Sequence, residues 1–144
     1  MIRQATSKDA RVIAQLAVQM WTESAVEELT AEFEALLSNE NAAVFLSSEQ
    51  GRVIGFAQCQ LRQDYVEGTD SSPVGYLEGI FVEGDYRNRG YARKLLSACE
   101  LWAKEQGCTE FASDCELDNT QSLAFHLHAG FTEANRIICF VKKI

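Results

Sequence analysis

A short basic turn, Arg87-Asn88-Arg89-Gly90-Tyr91-Ala92, has the residue types of an anion site. Residues 76–82, before it, are rich in the β-branched and aromatic residues that favour a strand. The residues after it form one apolar stripe at helical spacing, made of Leu95, Leu96, Cys99, Trp102 and Ala103. Free N–H groups at a helix start, the positive dipole end and close backbone approach at Gly90 suit a phosphate or pyrophosphate. The spacing leaves an ordinary turn with solvated arginines as an equal alternative.

A further strand is predicted at residues 109–115, after a helix that Gly107 ends. Together with the strand at 76–82 it makes a strand–helix–strand unit, which should be parallel and right-handed. Ligands of such units lie at the carboxyl ends of the strands, where Val82 and Asp114 fall.

A polar helix face follows this unit. Asp118 and Asn119 are predicted to cap a helix that Gly130 stops. Asn119, Ser122 and His126 are spaced so that they share one side of it. His126 can donate a proton near neutral pH; a structural hydrogen bond on the helix face is the alternative. His128 lies off that face and is expected to be solvated.

The loop at residues 63–73 carries acidic and aromatic residues, including Tyr65. A loop of this length and composition indicates a binding wall, and a solvated turn is the alternative. Trp21 is placed at a helix end beside a loop, and its periodicity favours core packing.

The remaining predicted elements are a strand at 1–6, helices opened by Thr6 with Asp9 and by Ser24 with Glu27, a hairpin of strands at 42–47 and 53–61, and a final strand at 131–143.

Composition limits the class of protein. The 144 residues fit one domain, 1–144, and the net charge of −8 argues against a nucleic-acid partner and favours cationic ligands. The five cysteines contain no CxxC pair, so we expect reduced thiols, with neither a disulfide framework nor a metal site. No apolar run reaches membrane-spanning length and no signal-peptide core is visible, so the expected location is cytoplasmic.

The pattern Arg87-x-x-Gly90-x-Ala92 after an apolar strand resembles the acetyl-CoA pyrophosphate motif of the GCN5-related N-acetyltransferases. Asn119 followed by Ala129-Gly130-Phe131 resembles the C-terminal helix motif of that family, and the order of elements agrees over the whole chain. Residues 64–82, with those at 112–114, are similar to aminoglycoside 6′-N-acetyltransferases of the chromosomally encoded, dimeric type. The resemblance implies a single α/β domain (α+β by stricter labels) with a mixed, mostly antiparallel sheet whose fourth and fifth strands splay apart to hold acetyl-CoA.

The resemblance also implies roles for individual residues. The backbone of residues 80–82 would bind the pantetheine arm, and Asn119 the pantetheine or thioester end. Residues expected to hold the coenzyme are Ile80, Phe81, Val82, Arg87, Asn88, Arg89, Gly90, Tyr91, Ala92 and Asn119. Residues expected to contact the aminoglycoside are Trp21, Tyr65, Glu78, Asp114 and Asn135, although the position of Asn135 is acidic in some relatives.

The implied reaction needs an uncharged amine to attack a thioester, so the substrate ammonium must lose a proton. Glu78 is the predicted base, acting directly or through a water. Many family members place a tyrosine where this chain has His126, so the general acid that protonates the departing thiol is assigned to His126 on weaker grounds. Direct transfer in a ternary complex is expected.

Several alternatives remain open. Glu78 would be a structural carboxylate if it paired with an arginine, and Asp114 would be structural if it capped the next turn. Two alternative functions are kept separately: an acetyltransferase for another amine, such as a polyamine or a protein N-terminus, and a non-catalytic acetyl-CoA-binding module. A homodimer built through the C-terminal strand is expected from the relatives.

Overall fold

The computed structural model describes all 144 residues, and its elements follow the predicted order as far as the last helix. The elements are β1 (Ile2–Gln4), α1 (Ala10–Ala17), α2 (Val26–Leu37), β2 (Ala42–Glu49), β3 (Arg52–Arg62), β4 (Val74–Val82), α3 (Tyr91–Glu105), β5 (Phe111–Ser113) and α4 (Thr120–His128). None of the helices combines the length and the apolar composition that crossing a bilayer requires.

One five-stranded sheet, in the order β1-β2-β3-β4-β5, organises the fold. The first four strands are antiparallel and β5 runs parallel to β4, which confirms the predicted mixed sheet. β5 pairs with β4 only at Gly75, Tyr76 and Leu77. The rest of β4, from Glu78 to Val82, has no strand on that side, so the two strands open into a wedge as expected.

Helices cover both faces of the sheet and bury two main apolar clusters. α1 and α2 pack on one face through a cluster that includes Phe33, Phe56 and Phe81. α3 packs on the other face through Leu95, Trp102 and their neighbours. The cysteines are free thiols; Cys59, Cys99 and Cys108 are buried in the core, while Cys115 and Cys139 are exposed.

A bulge in β4 sets which residues face which helices. The pairing with β3 shifts register at Glu78, which is the extra residue on β4. Before the bulge, Leu77 belongs to the cluster on the α3 side; after it, Val82 does, so the alternation has shifted by one residue. Gly79 and Phe81 consequently face α1 and α2. The bulge therefore places Glu78 at the point where β5 leaves β4.

The two predicted helix starts differ in outcome. The Asp9 carboxylate accepts the backbone N–H of Thr6 at 2.8 Å, which confirms the capping interaction at the first helix. The second start is wrong: Ala25, not Ser24, is the N-cap residue of α2, and it makes no side-chain capping bond. The backbone N–H of Ser24 instead bonds to the carbonyl of Trp21 within the preceding turn.

The predicted final strand at residues 131–143 is wrong for the isolated chain. Residues 132–144, here called the C-terminal segment, form no helix or strand and make no backbone–backbone hydrogen bond. A strand needs a neighbour to satisfy its backbone groups, and this chain places none beside the segment. Its apolar side chains are exposed: Ile137 by 65%, Ile138 by 79% and Phe140 by 91%.

Candidate active site

The basic turn leads into α3 through two residues in the left-handed backbone region. Asn88 and Gly90 both have positive φ, +62° and +85°, and Gly90 is the N-cap residue of α3. A Cβ at Gly90 would meet nothing within 4 Å, so the turn is open to an approaching ligand. The Arg87 Nε donates to the Val82 carbonyl at 2.7 Å and ties the turn to the end of β4. These features suit the predicted pyrophosphate site.

The wedge between β4 and β5 leads from this turn towards Glu78. Along it, β4 presents the backbone of Ile80, Phe81 and Val82 without a partner strand on the β5 side. The Phe81 side chain is buried against α1 and α2, and Val82 is buried against α3. The free edge of the strand can therefore offer backbone groups to a ligand that lies along it, as the resemblance implies.

Glu78 is bound by an arginine of the neighbouring strand. Arg62, the last residue of β3, donates from Nη2 to Oε1 at 2.8 Å and to Oε2 at 3.1 Å, and from Nε to Oε1 at 3.1 Å. The Glu78 side chain is 20% exposed and that of Arg62 is 38% exposed. The pairing foreseen as the structural alternative for Glu78 is thus present, and the carboxylate also stays within reach of solvent.

Asp114 reaches the same cluster through a tyrosine. The Tyr76 hydroxyl donates to Asp114 Oδ2, and the Arg62 guanidinium carbon lies 3.5 Å from the centre of the Tyr76 ring. Burial, and then the hydrogen bond to Asp114, raise the pKa of the Tyr76 phenol, so that it remains a donor. No backbone N–H donates to the Asp114 carboxylate, whose hydrogen-bond partner is Tyr76, so Asp114 does not cap the next turn. Glu78, Arg62, Tyr76 and Asp114 form one connected group, here called the acidic cluster.

Trp21 lies against β4 at Gly79 and also packs in the core. Its ring stacks on Phe33 at 6.5 Å and meets Phe56 edge-on at 6.4 Å. It also lines a cavity of about 330 Å³, together with Ser24, Leu29, Glu32, Phe33, Leu36 and Gln58. Trp21 therefore makes the core packing expected from its periodicity and also offers a surface for ligand contact.

The loop at residues 63–73 is held against the start of β5. Glu110 accepts the backbone N–H of Asp70 at 2.9 Å and the hydroxyl of Ser71. The bonds from Ser71 and then Asp70 lower the pKa of the Glu110 carboxyl below its ordinary value. Tyr65 stands on this loop with 76% of its surface exposed. A fixed loop with an exposed aromatic ring fits the predicted binding wall.

His126 lies at the closed end of the wedge. Its Nδ1 is 2.7 Å from the Ser122 carbonyl, so Nδ1 carries the hydrogen, and Nε2 is 2.8 Å from the Ser113 hydroxyl. Ser113 is the last residue of β5 and pairs with Leu77. The Asn119 side chain accepts the Ser122 N–H at 3.0 Å and caps α4, as predicted. His126 is thus placed beside the wedge and hydrogen-bonded at both ring nitrogens.

Asn135 lies apart from the acidic cluster. It is exposed on the C-terminal segment, and its Nδ2 is 3.4 Å from the Glu67 carboxylate on the loop at residues 63–73. The structure brings it to the loop that carries Tyr65. Its contact with substrate stays a prediction.

Sequence reasoning missed Arg62, Tyr76, Ser113 and Glu110. For Tyr76 a signal existed, because residues two apart on a strand share a face and Tyr76 is two residues before Glu78. The other three are joined to the site by contacts between elements that lie far apart in the sequence.

A model of the acetyltransferase (GNAT) family matches residues 10–131. The aminoglycoside N(6′)-acetyltransferase type 1 of Stenotrophomonas maltophilia is 42% identical over 142 residues, which cover 96% of this chain and 90% of that protein. The enzyme of the same name from Acinetobacter haemolyticus is 38% identical over 143 residues, covering 99% and 98%.

Solved structures agree with this assignment. AAC(6′)-Iy in complex with the bisubstrate analog CoA-S-monomethyl-acetylneamine superposes with a TM-score of 0.95 at 38% identity, covering 100% of this chain and 98% of that one. AAC(6′)-Ih from Acinetobacter baumannii superposes with a TM-score of 0.93 at 35% identity, covering 100% and 98%. The matched residues include the wedge, the basic turn and α4, and this chain therefore belongs to the GNAT acetyltransferase family.

Proposed function

We propose that this protein transfers the acetyl group of acetyl-CoA to the 6′-amino group of aminoglycosides, by direct attack in a ternary complex, and thereby confers antibiotic resistance. The observation that carries the proposal is the position of Glu78. It sits on the bulge of β4, one residue beyond the last β4–β5 pair, beside the wedge expected to hold the coenzyme. The relatives named above, which cover most of the chain, are aminoglycoside acetyltransferases.

The charges and aromatic surfaces fit a polycationic sugar. The chain carries a net charge of −8, which attracts cations over a long range. Glu78 and Asp114 supply carboxylates at the site, while the rings of Trp21 and Tyr65 suit sugar packing and cation–π contact. Asn135 is assigned a weaker, peripheral contact through the loop at residues 63–73.

Acetyl-CoA supplies the activated acetyl group. Its pyrophosphate is assigned to the N–H groups of the basic turn, residues 87–92, and its pantetheine arm to the free edge of β4 at residues 80–82. Asn119 is assigned to the thioester end. The open space at Gly90 and the missing partner strand along β4 are the features of this chain that fit such a ligand.

The chemistry then follows from the positions of two side chains. Glu78 accepts a proton from the 6′-ammonium, directly or through a water, and the freed lone pair attacks the thioester carbon. As the C–S bond breaks, the acylated nitrogen releases its second proton to solvent, and the departing sulfur takes a proton, for which His126 is the assigned donor. Holding the two substrates side by side contributes much of the rate. We place the reaction in the cytoplasm, the compartment that supplies acetyl-CoA.

The functional unit is proposed to be a homodimer. β5 lies at the edge of the sheet with β4 on one side only. The C-terminal segment has unpaired backbone and exposed apolar side chains at Ile137, Ile138 and Phe140. A second copy that accepts this segment as a strand would satisfy both features and bury the apolar surface.

Sedimentation equilibrium tests this assembly. The wild type is expected to be a dimer, and a double variant with Ile138→Lys and Phe140→Lys is expected to be a monomer that keeps its circular dichroism spectrum. A wild type that sediments as a monomer at micromolar concentration would contradict the proposal.

Free-thiol release with a panel of amines tests the substrate. An aminoglycoside with a 6′-amine should release thiol rapidly and gain one acetyl group at that nitrogen. The matched control is the same scaffold with a 6′-hydroxyl, which should be inert. Faster release with polyamines or peptide N-termini would assign another amine, and coenzyme binding without release for any amine would indicate a binding module.

A further inference from the structure

Arg62 is the one arginine of the chain that both pairs with a carboxylate and stacks on an aromatic ring. Its guanidinium lies 3.5 Å from the centre of the Tyr76 ring, whereas the other cation–π contacts of the chain span 5.4 to 6.0 Å. The Tyr76 ring is fixed in turn, because the residue is buried and its hydroxyl bonds to Asp114. Arg62 therefore offers a preorganised donor surface to Glu78.

The hydrogen bonds from Arg62 do not fall equally on the two carboxylate oxygens. Oε1 of Glu78 accepts two of them, at 2.8 and 3.1 Å, whereas Oε2 accepts one, at 3.1 Å. Each carboxylate oxygen has about two lone-pair sites. The positions on Oε1 are thus filled, and Oε2 keeps capacity for one further donor.

We infer that Arg62 is a positioning residue of the transfer reaction, which orients Glu78 so that Oε2 receives the proton of the substrate amine. The inference rests on the proposed function. Arg62 fixes the rotamer of Glu78 by its paired N–H groups, and Tyr76 fixes Arg62. Asp114 supports the same arrangement through the Tyr76 hydroxyl, so both carboxylates of the acidic cluster depend on one stack of side chains.

Arg62 should assist the transfer step but weaken the binding of the substrate. Its positive charge lies beside the carboxylate that must meet a cationic amine, so it weakens the attraction of the site for the substrate. Loss of the charge should therefore leave the aminoglycoside KM unchanged or lower it, while loss of the orientation lowers kcat. A residue that served only the stability of the fold would not separate the two constants in this way.

The test compares Arg62→Gln and Arg62→Lys with the wild type, using kcat and KM for an aminoglycoside with a 6′-amine. Arg62→Gln should lower kcat by about tenfold or more, the scale of a misplaced proton acceptor, without raising KM. Arg62→Lys restores the charge but neither the paired donors nor the flat stack. It should bring KM back towards the wild-type value and leave kcat low.

Arg3→Gln is the matched control, because Arg3 makes two 2.8 Å bonds to Asp9 near β1, outside the acidic cluster. It should leave both constants unchanged. Thermal unfolding and the KM for acetyl-CoA report whether each variant is folded. A wild type that releases no thiol with the aminoglycoside contradicts the proposed function and the inference together. An active wild type with Arg62→Gln within twofold of it in kcat contradicts the inference alone, as does a fall in kcat that Arg62→Lys restores.

Discussion

Trp21 and Gly79 are packed so closely that a Cβ at residue 79 would make an unusually tight contact with the ring. A Cβ built on Gly79 would lie 3.1 Å from one carbon of the Trp21 ring and 3.2 Å from another. Gly79 follows Glu78 on β4, so the ring of Trp21 is set directly against the strand that carries the predicted base. The position of the Trp21 ring and that of the Glu78 carboxylate are thus coupled through Gly79.

Gly79→Ala should move the Trp21 ring and raise the aminoglycoside KM several-fold. The methyl group would be closer to the ring than ordinary packing allows, so the ring must shift by a few tenths of an ångström in the cavity that it lines. The KM for acetyl-CoA should stay unchanged. Gly84→Ala is the matched control, since a Cβ there meets nothing within 4 Å. An unchanged aminoglycoside KM in Gly79→Ala would contradict a substrate role for Trp21.

Glu110→Gln should loosen the loop at residues 63–73. The carboxylate accepts bonds from Asp70 and Ser71, and the neutral amide is a weaker acceptor for both. We expect faster hydrogen exchange in the loop and a higher aminoglycoside KM, because Tyr65 is then less well placed. Glu116→Gln serves as the control at an exposed position nearby. Unchanged exchange in the loop would show that Glu110 does not hold it.

His126→Phe should lower kcat by about 10²-fold or more if His126 protonates the departing sulfur, the loss typical of a general acid. Phenylalanine keeps the aromatic packing against Phe131, whose ring centre is 5.0 Å from that of His126. His128→Phe is the control, since His128 is exposed on the same helix. Equal kcat values for His126→Phe and wild type would assign the proton to another group.

The ion pair of Asp9 with Arg3 makes the stability of the fold depend on pH. The two bonds from Arg3 lower the pKa of Asp9 from 3.8 to about 2. Because this pKa is lower in the folded state, the stabilisation is complete above about pH 5 and is lost as the pH falls through about 2. Its size is on the order of 1–2 kcal/mol, since Arg3 is partly exposed.

Urea unfolding of the wild type and Asp9→Asn measures this effect. The difference in free energy of unfolding between them should be largest at neutral pH and should shrink between about pH 4 and pH 2. A difference that is the same at all these values would mean that the charge of Asp9 contributes nothing.

Local patterns were sufficient to predict most of the fold. The basic turn and α3 followed from one apolar stripe and one glycine, and Asn119 was identified as a cap from its residue type. Helix periodicity and capping are properties of neighbouring residues, so a single sequence contains them.

The partners of Glu78 and Asp114 could not be predicted in the same way. Arg62 is 16 residues from Glu78, and Tyr76 is 38 residues from Asp114. Which residues meet across a sheet depends on the register, and here a bulge changes that register at Glu78. The sequence does not mark the bulge.

The C-terminal segment shows the limit of pattern reasoning in another way. Its apolar composition is that of a strand, and this was the basis of the prediction. Whether a strand forms depends on a neighbour with free backbone groups, and the chain itself provides none there. The residue pattern shows that the segment favours an extended strand, whereas the strand forms only if another strand lies beside it to pair with.

The most direct test of Glu78 as the base is the pH dependence of Glu78→Gln against the wild type, followed as kcat/KM for an aminoglycoside with a 6′-amine. A base is needed only while the amine is an ammonium ion. The variant should be slower by about 10²-fold or more near neutral pH, and the deficit should narrow as the pH rises and the free amine accumulates. A deficit of the same size at every pH, or none at any pH, would contradict the assignment of Glu78 as proton acceptor.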